Sequence, residues 1–465
     1  MKILLVQPPT PPKAIAGDEW FIFEPLALEY VAAGVTRDHE VRILDLRFGE
    51  SLSDVLNAFG PDVVGVTAYT VHVKTAKRLL KTVKQWNQGT VTVVGGHHAT
   101  IKPEDFVSRS VDLVVMGEGT FPFREIIERL ERGSPLDGIP GVVTRDGASY
   151  PDPREAAALD LDALPHPARH LTAQYRSRYY CDWMKPLASI RTSMGCPYRC
   201  RFCALWKIAH GRYLKRAPEK VVEELAGIDE DYVFFADDES LLDARRMQRL
   251  ADLIREAGIQ KRYFLYGRSD TIARNPRLLK AWKEIGLTRV FVGLEFFRDE
   301  DLEYVGKGST QRDNERAVQI LRNLDIGVYG SFILRPEFEK RDFRELRRYC
   351  RTLGVEYPTF SVLTPLPGTD LYEDVKQDLI TDDSDYIDFI HTLLPTRLPL
   401  KDFYRQYKWL LRTVLGPRRT ISLLRKYPVR QAGSMVAKSF RIQKKVRNAW
   451  KDYDGGRVAA IGGGR

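Results

Sequence analysis

The chain has 465 residues, 43% of them hydrophobic and 29% charged, an ordinary globular balance at a length that predicts two or three domains. No apolar run approaches the roughly 20 residues that cross a bilayer, and five cysteines, an odd number with three bunched together, argue against a disulfide framework and for a reducing, cytoplasmic setting. The net charge of +10 is unevenly placed: residues 401–465 hold 17 Lys/Arg against three Asp/Glu, so the tail is +14 and the remaining 400 residues are −4.

The start, "MKILLVQPPTPP", has one Lys and no small-residue cleavage site, and it reads as a first strand, not a signal peptide. Short apolar runs then alternate with helical stretches: "KILLV", "VRILDL", "DVVGVTA", "TVTVVGG" and "DLVVMGEG", with helices predicted over Val73–Trp86 and Phe121–Arg132. Continuous Val/Ile/Leu runs suit strands buried on both faces of a parallel sheet, so residues 1–150 are predicted to form a doubly wound, flavodoxin-like α/β domain. Ligands of such sheets sit beyond the strand ends. That places Thr67, Tyr69 and Thr70 of "TAYT", Gly95, Gly96, His98 and Thr100 of "GGHHAT", and Gly117 and Glu118 of "GEGT" around one crevice.

Residues 151–180 open on a Pro/Asp/Ala-rich passage without periodicity and read as a linker. Strand–helix alternation resumes over 181–385 with "LASIRTSMG", "YVFFADDES", "YFLYGRSD", "VFVGLEFF", "GVYGSFIL" and "TFSVLTPLPGTD", about six βα units and so a partial or complete β/α barrel. Residues 386–452 form a basic helical region. Packing helices with solvated basic faces and peripheral contact with an anionic membrane are equally supported there, while nucleic-acid binding is not expected because no RNA module accompanies the charge. The Gly-rich end, 453–465, reads as disordered.

Three cysteines, Cys196, Cys200 and Cys203, form C-x3-C-x2-C just after the first barrel strand. Three thiolates on one turn can bind a four-iron cubane while leaving one iron open. Zinc is the rival, with His210 completing a Cys3His set, but structural zinc more often uses paired C-x2-C knuckles. Cys350 reads as a packing residue, and nothing requires Cys181 at the active face.

"GCPYRCRFCALW" resembles the radical S-adenosylmethionine (SAM) enzymes, and "VVGGHHAT" ahead of it resembles their cobalamin-binding class. Longer strings, "EPLALEYVAAG", "GRYLKRAPEKVVEELA", "TPLPGTDLY" and "LLPTRLPLKDFYRQY", resemble the hopanoid C-3 methylases and related class B radical SAM methyltransferases. The resemblance implies a 4Fe-4S cluster on the three cysteines, with SAM chelating the open iron. It places Asp237, Asp238, Arg268, Ser269 and Glu295 at strand ends near SAM, and it puts cobalamin on the front domain. There is no D-x-H-x-x-G, so neither His97 nor His98 is assigned to cobalt. It further implies methylation of an unactivated carbon of a small, lipid-like substrate through a 5′-deoxyadenosyl radical and methylcobalamin, with flavodoxin or ferredoxin as electron donor. A cyclase or rearrangement enzyme with the same cofactors is the alternative, and a cobalamin-binding regulator is a more distant one. The methylthiotransferase branch is excluded, because its front domain supplies three more cysteines and residues 1–180 contain none.

Overall fold

The computed structural model describes residues 1–15, 17–145 and 159–453. Residues 151–158 of the Pro-rich passage and 454–465 of the Gly-rich end lie outside them, while Tyr453, expected to begin the disordered end, is buried with its hydroxyl 2.9 Å from that of Tyr404.

Six strands make the first sheet: β1 Lys2–Gln7, β2 Glu40–Asp45, β3 Val63–Thr67, β4 Val91–Gly95, β5 Leu113–Val115 and β6 Val142–Thr144. Their order is β2-β1-β3-β4-β5-β6, with all neighbours parallel except the last pair. Alternation along β1 shows why the run is apolar throughout. Leu4 and Val6 pack with Leu56, Phe59, Leu80 and Val83 of helices Leu52–Phe59 and Val73–Trp86. Ile3 and Leu5 pack on the other face, with Leu28, Ala32, Phe123 and Ile126 of helices Leu26–Ala33 and Thr120–Arg132. Successive side chains leave a strand on opposite faces, so a sheet covered on both sides needs apolar residues at every position. This is the doubly wound domain that the alternation of runs predicted.

The second sheet holds β7 Leu187–Ile190, β8 Tyr232–Phe235, β9 Arg262–Arg268, β10 Leu287–Glu295, β11 Gly327–Leu334 and β12 Tyr357–Val362, all parallel and in sequential order. Such an order curls into an open barrel. Val290, Val292 and Leu294 of β10 face the outer helices and join one core with Met247, Leu250, Ile254 and Leu321. The alternate positions, Arg289, Phe291, Gly293 and Glu295, face the lumen. After the barrel, helix Leu400–Thr413 buries Phe403, Tyr404, Tyr407 and Leu410, which settles that helix as packing. Helix Gly416–Leu424 buries nothing, and helix Val429–Asn448 buries only Ile442, Gln443 and Val446. No helix of the described residues is long and apolar enough to cross a membrane.

A buried charge network ties the two sheets together. Glu24, 4% exposed, accepts from the Ser189 amide at the barrel's first strand and pairs with Arg176. Arg169 donates to Glu224 at 2.7 Å and to the Ser189 carbonyl at 2.6 Å. Glu224 also takes the Arg216 guanidinium at 2.5 Å. Glu29 accepts from Thr172 at 2.5 Å, and burial, reinforced by the neighbouring Glu24 charge, pushes its carboxyl well above the usual range. Arg169, Thr172 and Arg176 belong to the segment read as a linker, so its described part is a packed strap held by charge. Removing one partner of a buried pair costs about 3–5 kcal/mol. Glu24→Ala is therefore expected to lower the chemical-denaturation free energy by about that much, whereas Glu223→Ala, whose exposed carboxylate pairs with Lys220 at 3.1 Å, should leave the denaturation midpoint nearly unchanged.

A second latch joins the chain's last described turn to the barrel. His391, wholly buried, lies 3.0 Å from Asp388 and 3.2 Å from Asp452. Burial opposes its charge, but the Asp388 hydrogen bond and the two carboxylates outweigh burial and raise the imidazole above its ordinary value. A raised folded-state value stabilises fully below the unfolded value, near 6.5, and the gain is lost as pH rises through the folded value. The stability difference between the native chain and His391→Gln, read from urea midpoints, should shrink on going from pH 6 to alkaline pH.

Candidate active site

The cysteine loop is fixed by two adjacent carboxylates. Asp237 accepts from the Thr192 amide and hydroxyl, both at 2.7 Å, and from the Ser193 amide at 2.8 Å. Asp238 accepts from the Gly195 amide at 2.7 Å. Burial raises both carboxyls, against these hydrogen bonds. Gly195 turns the loop at φ +89°, and a Cβ there would stand 2.2 Å from the Arg212 carbonyl oxygen, so no other residue fits. Downstream, the Arg201 amide reaches Val305 O at 2.9 Å, and the Cys200 carbonyl accepts from Cys203 N and Trp206 Nε1, both at 3.1 Å. Cys200 is buried, Cys196 and Cys203 half-buried.

Burial raises the Cys196 thiol, and it pushes Cys203 up to about 12 with the other two thiols adding to the effect. Two buried cations stand ready for thiolate charge. The Arg268 guanidinium lies 3.9 Å from Cys200 Sγ and 3.6 Å over the Tyr198 ring. Lys307 Nζ, 2.8 Å from Glu295 Oε1, also acts electrostatically on Cys200. Burial alone would lower Lys307, but Glu295 outweighs it. Three thiols on one turn beside two buried cations fit an anionic iron–sulfur cluster. Among the described residues, no three His, Cys, Asp or Glu side chains converge as a single ion requires; a cubane carries its ligands on separate irons.

Around this loop, buried polar atoms lack partners: Glu239 Oε1, Ser240 Oγ, Ser269 Oγ and Ser309 Oγ. Burial raises Glu239 to about 7, offset in part by the Arg268 amide. Unpaired buried groups at one place are costly unless something else binds them, and this set suits a ligand with amino, carboxylate and hydroxyl groups. The sequence reading named Asp237, but its carboxylate is spent on the loop; Glu239, two residues on, carries the unpartnered oxygen. Arg268 stands at Cys200, Ser269 among the unpartnered hydroxyls, and Glu295, at φ +58°, on Lys307. Asp238 keeps one oxygen on Gly195 and stands within electrostatic reach of Tyr69.

On the front domain, β3 and β4 end side by side. Ala68 N bonds Gly95 O at 2.8 Å and His98 N bonds Ala68 O at 3.0 Å. Gly96, at φ +103°, has no room for a Cβ, which would fall 2.8 Å from Thr67 Oγ1. Thr100 donates to Gly96 O and accepts from Gly117 N, both at 2.9 Å. Glu118 accepts from Thr120 N at 2.9 Å and from the Thr120 hydroxyl at 2.7 Å, at the first residue of the helix that follows. Gly117, at φ +73°, has nothing within 4 Å of its Cβ position. His98 is buried, held by Thr70 at 3.1 Å and Asp105 at 2.9 Å. Its neighbour His97 faces the crevice instead, edge-on to Tyr69 at 4.8 Å.

Tyr69 is 51% exposed and His97 is exposed, yet desolvation raises the Tyr69 phenol and drops His97 to about 4. Both therefore face an internal space ringed by protein. Arg191 acts electrostatically on both, Asp238 on Tyr69, and Tyr69 and Asp238 on Tyr266. The strand ends of the two sheets thus face each other, and Ile101 beside Gly368 brings the two rims into contact. A space beside Gly117, open at its Cβ position, fits a large planar macrocycle. Below it, Tyr266 and Phe291 stand edge-to-face at 5.1 Å and are half-buried inside the barrel, with Ser331, Thr359 and Ser361 as small-residue walls. The lumen floor is solid, with Phe234 and Phe264 buried and Arg289 stacked 4.0 Å over Tyr357. Cys181 packs in this floor, and Cys350 in the outer core.

His97, Arg191, Glu239, Tyr266 and Lys307 were not among the site residues read from sequence. Only "ADDES", with three acids at a strand end, offered a local signal, and it did so without naming which acid.

Residues 13–127 match the B12 binding domain family and residues 190–350 the Radical SAM superfamily. The hopanoid C-3 methylase of Methylococcus capsulatus is 34% identical over 82% of this chain and 74% of that protein. An uncharacterized methyltransferase of Pyrococcus horikoshii is 31% identical over 80% of this chain and 83% of its own length. The cobalamin-dependent SAM radical enzyme OxsB, solved with aqua-cobalamin and SAM bound, has the same fold, at a TM-score of 0.72 and 16% identity over 95% of this chain and 71% of that one.

Gly195→Ala is expected to displace the cysteine loop. After anaerobic reconstitution, the variant should hold less than half the iron per chain of the native protein, with the absorption of the cluster reduced to match.

Proposed function

We propose, taking as premise that the chain belongs to the B12-binding radical SAM methyltransferases, that it methylates an unactivated carbon of a small, lipid-like molecule of the hopanoid kind. The observation that carries this reading is the meeting of the two strand-end rims: Ile101, at the end of the front-domain helix His97–Ile101, fills the space beside Gly368 after the last barrel strand, which keeps Tyr69 and His97 within electrostatic reach of Arg191. In this reading Cys196, Cys200 and Cys203 hold the 4Fe-4S cluster. Glu239, Ser269 and Arg268 face SAM, and Thr67, Tyr69, Gly95, Gly96, Thr100 and Gly117 frame cobalamin. The limits 1–150, 181–385 and 386–452 are the units that do so.

When bound, the cluster with SAM supplies the one-electron chemistry that breaks an inert C–H bond, and the corrinoid supplies a methyl group. The chain's own work is placement and exclusion. Arg268 and Lys307 offset negative charge at the cysteine loop, and His97, pushed to about 4, stays neutral at pH 7. The front domain roofs the barrel mouth and keeps water from the reacting carbon. Tyr266 and Phe291 give the chamber an apolar floor, while Ser331 leaves width above it. Such a floor supports a hydrocarbon skeleton over a charged metabolite, because a carboxylate or phosphate there would lose its hydration without a partner. An external flavodoxin or ferredoxin serves as reductant, and the basic C-terminal region supplies contact with a membrane surface.

The test is anaerobic, reconstituted protein with reductant, a hopanoid and SAM labelled in its methyl group. Label is expected on the corrinoid and on a product heavier by one methyl group. A product of altered bonding without the label would replace this reading with ring closure, and label on neither would reject methyl transfer.

A further inference from the structure

Between residues 416 and 441 no side chain is buried. An amphipathic helix of a folded protein hides its apolar stripe; helix Gly416–Leu424 and the first three turns of helix Val429–Asn448 show theirs. Ile421 is 52% exposed, Val429 89% and Phe440 66%. Val429 and Phe440 are eleven residues apart, three helical turns, and so share one stripe.

The charge around these side chains has one sign. The 49 residues between Asp402 and Asp452 contain 14 Lys/Arg and no Asp or Glu. Lys426 pairs with Glu356 at 2.7 Å and Arg441 with Glu19 at 3.0 Å, which anchors the two helices to the body. Lys438 sits 4.4 Å over the Tyr180 ring. Arg418, Arg419, Arg425 and Arg430 have no carboxylate partner among the described residues. Beside the exposed stripe runs an open groove of about 440 Å³, lined by Lys408, Arg412, Phe440, Gln443, Lys444 and Arg447. It sets four cations around an open space with an aromatic ring among them.

We propose that this helical pair, residues 416–440 with the adjoining groove, is a docking surface for an anionic lipid bilayer. Ile421, Val429 and Phe440 enter the acyl boundary while the arginines and the groove lysines meet lipid phosphates. A nucleic acid would match the charge, but exposed aliphatic side chains on a helix stripe gain nothing from a phosphate backbone, whereas a bilayer takes up both. This deepens the membrane contact of the proposed function and does not depend on methyl transfer.

The full chain is tested by co-sedimentation with vesicles of phosphatidylcholine alone and of phosphatidylcholine with about one-third phosphatidylglycerol, at low and high salt. Binding is expected only to the phosphatidylglycerol vesicles, and weaker at high salt. The quadruple variant Arg418→Gln, Arg419→Gln, Arg425→Gln, Arg430→Gln should lose at least tenfold in vesicle affinity, since each such cation counts near an anionic surface. The double variant Val429→Ser, Phe440→Ser should lose at least tenfold as well. Both should melt near the native temperature, because the replaced side chains are exposed and none belongs to the core. Native-level vesicle binding by either variant would overturn the proposal, as would capture of a single-stranded RNA probe in place of vesicles. Methyl transfer to detergent-solubilised substrate should be unchanged in both variants, so failure of docking and failure of the proposed reaction are read separately.

Discussion

One carboxylate holds the two halves of this protein in register. Glu24 leaves the front domain, enters a pocket without solvent, and there meets the Ser189 amide of the first barrel strand together with Arg176 of the connecting strap. A charge in that position is tolerable only while its partners stay in place. The crevice at the strand ends of one sheet therefore cannot drift from the rim of the other. Everything chemical about the chain depends on that alignment, because neither rim alone encloses a space. Tyr69 and His97 stand within electrostatic reach of Arg191 only while that alignment holds.

Features fixed by local pattern were legible in the sequence. Strands of the first sheet announced themselves as unbroken Val/Ile/Leu runs, since both its faces are covered, and the cysteine loop by its spacing. Roles set by orientation were not. In "ADDES" the three acids differ in position by single residues, and the chain's course from β8 into the following loop decides that Asp237 clamps Thr192 while Glu239 keeps a free oxygen. His97 and His98 are likewise adjacent, and the turn at Gly96 sends one into the crevice and the other into the Asp105 hydrogen bond. Lys307 lies more than one hundred residues from the cysteines it faces. No window of sequence could associate them.

The basic tail divided in a way its composition concealed. Apolar residues appear along all three helices, but only Leu400–Thr413 and the last turns of Val429–Asn448 bury them. Periodicity states that a face exists; it does not state what covers it. Coverage depends on where the barrel ends, and here it ends before Phe440.

The exposed pair of helices lies beneath the first residues of the strands, where Tyr427 donates to or accepts from Tyr357 and takes up Arg289. The cysteine loop lies past their last residues. Along β10 these two ends are eight steps apart, roughly 25–30 Å. A molecule seated on lipid by its lower rim stands upright, with its reactive rim out in the aqueous phase. A hydrocarbon guest would then have to be lifted clear of the leaflet and carried up that height, so its route is one of extraction, not of lateral diffusion within the bilayer.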